Sequence, residues 1–115
     1  MKIWVDDIRK APKGYTWCKS VNETIHTIEE YEESIENILD EYDFPPIDLW
    51  TMGIDIIDLD HDAGKFVKDG GDYIKILDWM EASGRNYPIR IHSMNPVGIK
   101  NMRAIIQKNN WKEVK

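Results

Sequence analysis

The amino-acid sequence predicts an α/β domain built on a mostly parallel sheet, and two observations carry that prediction. Strand-like and helix-like stretches alternate from residue 15 to the end, as crossover helices between parallel strands require. The strand-like stretches also break into polar residues at their carboxyl ends three times: at Asp6-Asp7, at Asp60-His61-Asp62 and at His92-Ser93-Met94-Asn95. In open parallel sheets, ligands bind outside that edge. The central case is Ile54 to Leu59, the best strand in the chain, which runs into three ionisable side chains and then Gly64.

Each element follows from local chemistry. Lys2 to Val5 reads as a short strand with Ile3 and Val5 on one side and Trp4 on the other. Ala11-Pro12-Lys13-Gly14 is a turn, and Tyr15 to Lys19 a second, aromatic strand. Ser20-Val-Asn-Glu23 is a capping box, so a helix starts at Val21. Its apolar stripe (Val21, Ile25, Ile28, Ile35, Leu39, Tyr42) carries it to about Tyr42, and Phe44-Pro45-Pro46 stops it. Ile47 to Trp50 reads equally as a short strand or an insertion, with Thr51-Met-Gly53 as a turn. After Leu59, Gly64 to Gly71 reads as a mobile loop over the strand end. A second helix begins near Gly71, with Tyr73, Ile74, Leu77 and Met80 or Trp79 inward and Gly84 as its terminal cap. Pro88 to His92 is the next strand. Asn95 as N-cap and Pro96 in the first turn open a third helix, whose buried face is Val97, Met102, Ile105 and Ile106. Trp111 to Val114 is a fifth, edge strand.

A chain of 115 residues supports one domain, 1–115, with one core. Cys18 is the only cysteine, which excludes an internal disulfide and a thiolate metal cluster. No apolar run approaches the roughly 20 residues of a membrane span. The start, Met1-Lys-Ile-Trp-Val-Asp-Asp7, turns acidic too early for a signal peptide. A cytoplasmic protein with no membrane partner is expected. The net charge of −6 is not spread evenly. Residues 20–46 hold nine acids and no Lys or Arg, so the remainder carries +3 and tolerates a phosphate ligand. The acidic run itself reads as a solvated helix face, with His26 on its surface.

Three groups of residues point to chemistry. Asp6, Asp7 and Asp60 fall side by side if their strands are neighbours. Carboxylates that close raise each other's pKa unless a cation joins them. An oxygen-only set of Asp6, Asp7 and Asp60, with Asp62 helping, suits Mg²⁺; His61 and His92 would shift the preference toward Mn²⁺ or Zn²⁺. The plainer alternative is that Asp6 and Asp7 cap a turn and Asp62 opens the loop. Ser93 and Asn95 precede a helix N-terminus, which seats anions, although Asn95 reads more readily as a plain cap than as a ligand. His61 and His92 are candidate acid/base groups. Arg9, following the acidic pair, is the best-placed cation for a phosphate, ahead of Arg90 and Arg103.

An acidic pair after strand one, an Asp after the central strand and a Ser after the next resemble the receiver domains of two-component signalling. That correspondence makes Asp6 and Asp7 metal acids, Asp60 the phosphoacceptor position and Ser93 the small hydroxyl residue. Three longer phrases resemble a compact relative: Trp4-Val-Asp-Asp-Ile-Arg-Lys-Ala-Pro-Lys-Gly14, Leu59-Asp-His-Asp-Ala-Gly64 and Ile91-His-Ser-Met-Asn-Pro96. Together they are similar to the cyclic-phosphate processing receiver-like family of bacteria and phages, over nearly the whole chain. The resemblance implies a small three-layer α/β sandwich with a mostly parallel five-stranded sheet. No helix fits between Asp7 and Tyr15, and none closes the chain, so the first and last receiver helices are missing.

The expected function is metal-dependent binding and hydrolysis or processing of a cyclic phosphate, on a nucleotide or an RNA end in the setting of RNA repair. Asp60, His61 and His92 are the expected catalytic residues. Arg9, Ser93 and Asn95 would bind phosphate, and Asp6, Asp7, Asp60 and Asp62 would hold a divalent metal, Mg²⁺ or Mn²⁺. The alternatives are a non-catalytic, stand-alone receiver-like module that binds phosphate ligands or is phosphorylated at Asp60 and signals to a partner, and an interaction protein working through its acidic helix.

Overall fold

The computed structural model describes residues 1–43 and 53–115. The predicted helix stop at Phe44-Pro45-Pro46, the strand or insertion at Ile47–Trp50 and most of the turn at Thr51–Gly53 lie outside them. The order is β1 (Lys2–Val5), β2 (Tyr15–Cys18), α1 (Val21–Asp40), β3 (Ile56–Leu59), α2 (Ile74–Ser83), β4 (Ile89–Ile91) and α3 (Pro96–Lys108), with a 3₁₀ turn at Gly64–Phe66. The strands form a wholly parallel sheet in the order β2-β1-β3-β4.

The caps are those the local sequence dictates. Ser20 Oγ accepts the Glu23 amide at 3.0 Å, while the Glu23 carboxylate reaches back to the Lys19 amide at 3.0 Å. Gly84 ends α2 at φ +70°, where a side chain would be strained. Asn95 Oδ1 accepts the Gly98 amide at 3.0 Å and starts α3, with Pro96 behind it.

The sheet has four strands rather than five. Trp111–Val114 meets β4 at one residue, in an isolated parallel bridge between Ile89 and Glu113. Trp111 sinks into the core, and Glu113 is held at 2.9 Å by Arg103. The segment is thus pinned by its side chains and has only one residue in register.

Three layers are expected, but among the described residues there are two, the sheet and the helices on one of its faces. Ile3, Val5, Cys18, Ile57, Leu59 and Ile89, from all four strands, share one core with Val21 and Ile28 of α1, Ile76, Leu77 and Met80 of α2, and Met102 and Ile106 of α3. Successive right-handed crossovers that all step in one direction across the sheet must place their helices on one face. Among the described residues, the other face carries no helix. It shows Trp4, Tyr15 and Trp17, all partly buried, and Arg90, half exposed.

Val97, expected to be buried, is 68% exposed. The inward row of α3 is Gly98, Met102 and Ile106, spaced by one helical turn each. Apolar periodicity overlooks the first of these because glycine has no side chain to count. A buried Gly98 turns its neighbour Val97 outward.

α1 is tied to the loop after α2 by a fork. Arg85 donates to both carboxylate oxygens of Glu32, at 2.7–3.1 Å, and lies 4.3 Å over the Trp79 ring. Tyr87 also donates its hydroxyl to Glu32. Burial alone would raise the Glu32 carboxyl, but the Arg85 and Tyr87 hydrogen bonds and the Arg85 charge outweigh it and hold it below the usual range. A depressed folded pKa stabilises above the unfolded pKa and is lost as pH falls through the folded value. Arg85→Met should therefore cost about 1.5–3 kcal/mol at neutral pH. The difference from the parent should shrink as the medium is acidified past the ordinary carboxylate range, about 4.3. Urea unfolding at both ends of that range checks it, and a pH-independent difference would refute the assignment.

Candidate functional site

All four strands are parallel, so their carboxyl ends share one edge. The register puts Trp17, Trp4, Asp58 and Arg90 in one rank across the open face. Side chains alternate along a strand, so the next rank on that face is Asp6, Asp60 and His92. Backbone hydrogen bonds continue the ladder there, from the Asp60 amide to Val5 and from the His92 amide to Leu59, each 3.0 Å. Residues 54 positions apart in sequence, Asp6 and Asp60, thus become neighbours through the sheet alone.

Asp6, Asp7 and Asp60 converge: one oxygen from each lies within 4.8 Å of the others. Asp6 is 1% exposed. Its Oδ1 accepts the amides of Ile8 and Arg9 at 2.9 and 2.8 Å, and its Oδ2 faces His92 Nε2 at 2.9 Å. Burial pushes its carboxyl up, but these amides and His92 prevail and hold it below the usual carboxylate value. Asp6 therefore caps the turn and also faces the cluster. Asp7 goes the other way: burial, then the charges of Asp6 and Asp60, raise its carboxyl despite its own backbone amide. Gly64 presses on the same group. At φ +56°, a Cβ there would lie 2.2 Å from Asp7 Oδ2. Asp60 Oδ1 accepts the His61 amide at 2.7 Å. Three carboxylate oxygens at this spacing can share one small cation.

Asp62 does not join them. It turns to His61, whose Nδ1 is 2.9 Å from Asp62 Oδ1, and forms a second group with His61 and Asp72 within 4.8 Å. The His61 ring is largely buried, with a side-chain exposure of 14%. It packs on the first turn of α3, where a Cβ on Gly98 would fall 2.4 Å from His61 Cγ. Among the described residues its Nε2 makes no hydrogen bond.

His92 sits at the end of β4 between two acids. Nδ1 is 2.6 Å from Asp58 Oδ1 and Nε2 is 2.9 Å from Asp6 Oδ2. The ring stacks on Trp4 at 3.8 Å between centroids, 6° from parallel. Both nitrogens of His92 are engaged, whereas among the described residues His61 has a partner at Nδ1 alone. Asp58 is the residue that sequence reasoning passed over. It is 1% exposed in the middle of β3. Its signal was legible: a charged residue inside a strand, in step with Asp60, needs a buried partner.

The expected phosphate-binding residues divide. Ser93 Oγ accepts the Asn95 amide at 3.1 Å. The Asn95 side chain caps α3 with Oδ1, and its Nδ2 lies 3.3 Å from Asp62 Oδ1. Arg9 is exposed. Its carbonyl accepts the Trp4 indole at 2.9 Å, and among the described residues its guanidinium forms no ion pair.

No helix among the described residues is long and apolar enough to cross a membrane. Comparison with curated proteins and with solved structures returned no match. The family model described as the cyclic-phosphate processing receiver domain matches residues 1–44 and 46–108. With that match covering nearly all of the chain, and with acids and a histidine gathered at the carboxyl edge of a parallel sheet, the chain belongs to the cyclic-phosphate processing receiver domain family.

Proposed function

We propose that the chain is a divalent-metal-dependent phosphoesterase that binds and hydrolyses a cyclic phosphate, on a nucleotide or an RNA end, at the carboxyl edge of its sheet. The observation that carries this reading is the convergence of Asp6, Asp7 and Asp60 within 4.8 Å. Asp7 is held above its ordinary value there by burial and by its acidic neighbours, and a cation at that point would offset the repulsion.

An all-oxygen donor set fits Mg²⁺ or Mn²⁺ better than Zn²⁺. His92, turned to Asp58 and Asp6, is not left as a nitrogen donor. Asp6, Asp7 and Asp60 would hold the ion, with Asp6 contributing through Oδ2. Bound there, it would offset charge developing on phosphate oxygens. The chain's own groups do the rest. His61, steadied by Asp62 at Nδ1, would take or give a proton at Nε2. The Arg9 guanidinium and the Ser93 hydroxyl would contact phosphate oxygens. Asn95 braces Asp62 through Nδ2 and the start of α3 through Oδ1, so its side-chain amide would act by positioning its neighbours.

Incubation with 2′,3′-cyclic nucleotides and Mg²⁺ or Mn²⁺, with Asp60→Asn as the control, tests the reading. Ion-dependent ring opening that is lost in the variant supports it. Absence of both turnover and binding with either ion overturns it. Stable labelling of Asp60 by acetyl phosphate, without turnover, would instead favour the signalling reading, in which Asp60 accepts a phosphoryl group.

A further inference from the structure

We infer that Asp58 is a positioning residue acting through His92: it holds the imidazole in the one orientation that presents Asp6 to Asp7 and Asp60. The inference rests on the metal reading above and assigns a role to a residue outside the oxygen cluster.

Asp58 lies in mid-strand at 1% exposure, where an unpaired carboxylate would be strongly destabilising. Its Oδ1 is 2.6 Å from His92 Nδ1, and Arg90 Nη1 lies 3.7 Å from its Oδ2. An imidazole has two nitrogens on opposite sides of its ring. Anchoring Nδ1 on β3 therefore aims Nε2 across the sheet at β1, where it meets Asp6 Oδ2 at 2.9 Å. Trp4, stacked 3.8 Å away and 6° from parallel, fixes the plane of the ring. Two bonds set the in-plane rotation of His92, and the indole blocks its tilt.

Asp6 is then held from two directions. The Ile8 and Arg9 amides take Oδ1, and His92 takes Oδ2. Without His92, the carboxylate would be held through Oδ1 alone, and its place beside Asp7 and Asp60 would be less firmly set. Asp58 itself contributes no atom to the group formed by Asp6, Asp7 and Asp60. Its effect on a bound ion is transmitted through one imidazole and one carboxylate. Partners of this kind, behind the groups that touch a metal, typically change affinity by about 10–100-fold when removed. His92 is thereby a relay of geometry, and proton transfer falls to His61.

The test measures Mn²⁺ affinity by titration calorimetry for the unmutated chain, Asp58→Ala and Asp58→Asn, with melting temperature as the check on folding. Asp58→Ala should weaken Mn²⁺ binding by about 10–100-fold. Asp58→Asn, which keeps an acceptor for Nδ1, should lose clearly less. In the unmutated chain without ion, NMR should show an exchange-protected His92 Nδ1 proton, and Asp58→Ala should abolish it. A purely structural residue would lower the melting temperature and leave affinity unchanged in the folded fraction. That result, in either variant that folds, overturns the inference while leaving the metal reading in place. Failure of the unmutated chain to bind Mn²⁺ or Mg²⁺ overturns the metal reading and this one with it.

Discussion

Asp60→Asn should lower turnover of a cyclic phosphate by on the order of 100-fold or more, in a chain that melts no lower than its parent without metal. The two halves of this expectation have one cause. Asp60 is one of three carboxylates whose oxygens lie within 4.8 Å, and its charge helps push Asp7 upward. Without a cation, the amide in its place relieves repulsion, so the empty fold loses nothing. With a cation, the amide supplies a neutral oxygen in place of a charged one. Calorimetric titration with Mn²⁺ and thermal melts with and without ion separate the effects. The parent should gain stability on adding ion, by the mass-action relation between ligand concentration and affinity, and the variant should gain far less. A variant that melts well below its parent without ion would show that Asp60 holds the fold together. A variant that binds and turns over normally would remove it from the site.

Gly98→Ala should reduce turnover at least about tenfold with little change in cation affinity, and should destabilise the fold by about 1–3 kcal/mol. In an ordinary exposed helix the same change stabilises by about 1 kcal/mol, because alanine is the better helix former. Here the sign reverses. The new Cβ would lie 2.4 Å from Cγ and 2.6 Å from Cδ2 of His61, in a buried contact at the first turn of α3. Either the helix end moves or the imidazole does. Moving the ring breaks the 2.9 Å contact with Asp62 and redirects Nε2. The oxygens of Asp6, Asp7 and Asp60 are not involved, so cation binding is spared. A variant as stable and as active as the parent would mean that the helix start yields freely and that His61 has no part in the chemistry.

The contrast between the two histidines shows where sequence reasoning stops. His61 and His92 each follow a predicted strand, and spacing alone gives them the same rank. Their difference lies in what the other chain segments bring. β3 carries Asp58 beneath His92 and β1 brings Trp4 and Asp6, which engages both ring nitrogens. His61 lies past the end of β3, beside Asp62, Asp72 and the start of α3, and among the described residues only its Nδ1 has a hydrogen-bond partner. The acids divide for the same reason. Asp60 is in step with Asp6 across the parallel register, whereas Asp62 lies beyond the ladder, where the chain turns toward Asp72.

Local chemistry was sufficient where the cause is local. The capping box at Ser20, the Asn95-Pro96 start, the terminal Gly84 and the alternation of Ile3, Trp4 and Val5 needed only neighbours in sequence, and each appears as expected. The sequence by itself determined the parallel α/β class, the edge at which the ionisable residues collect, and the family. It did so because strand alternation and capping are short-range, and because three polar strand ends leave few alternatives. Tertiary structure alone decided that the sheet has four strands, that among the described residues its helices cover one face, that Val97 turns outward, and that His92 is held at both nitrogens while His61 is held at one. Those outcomes depend on which side chains meet across the sheet. Apolar periodicity registers neither a glycine that admits a ring nor a carboxylate that finds its partner 34 residues away.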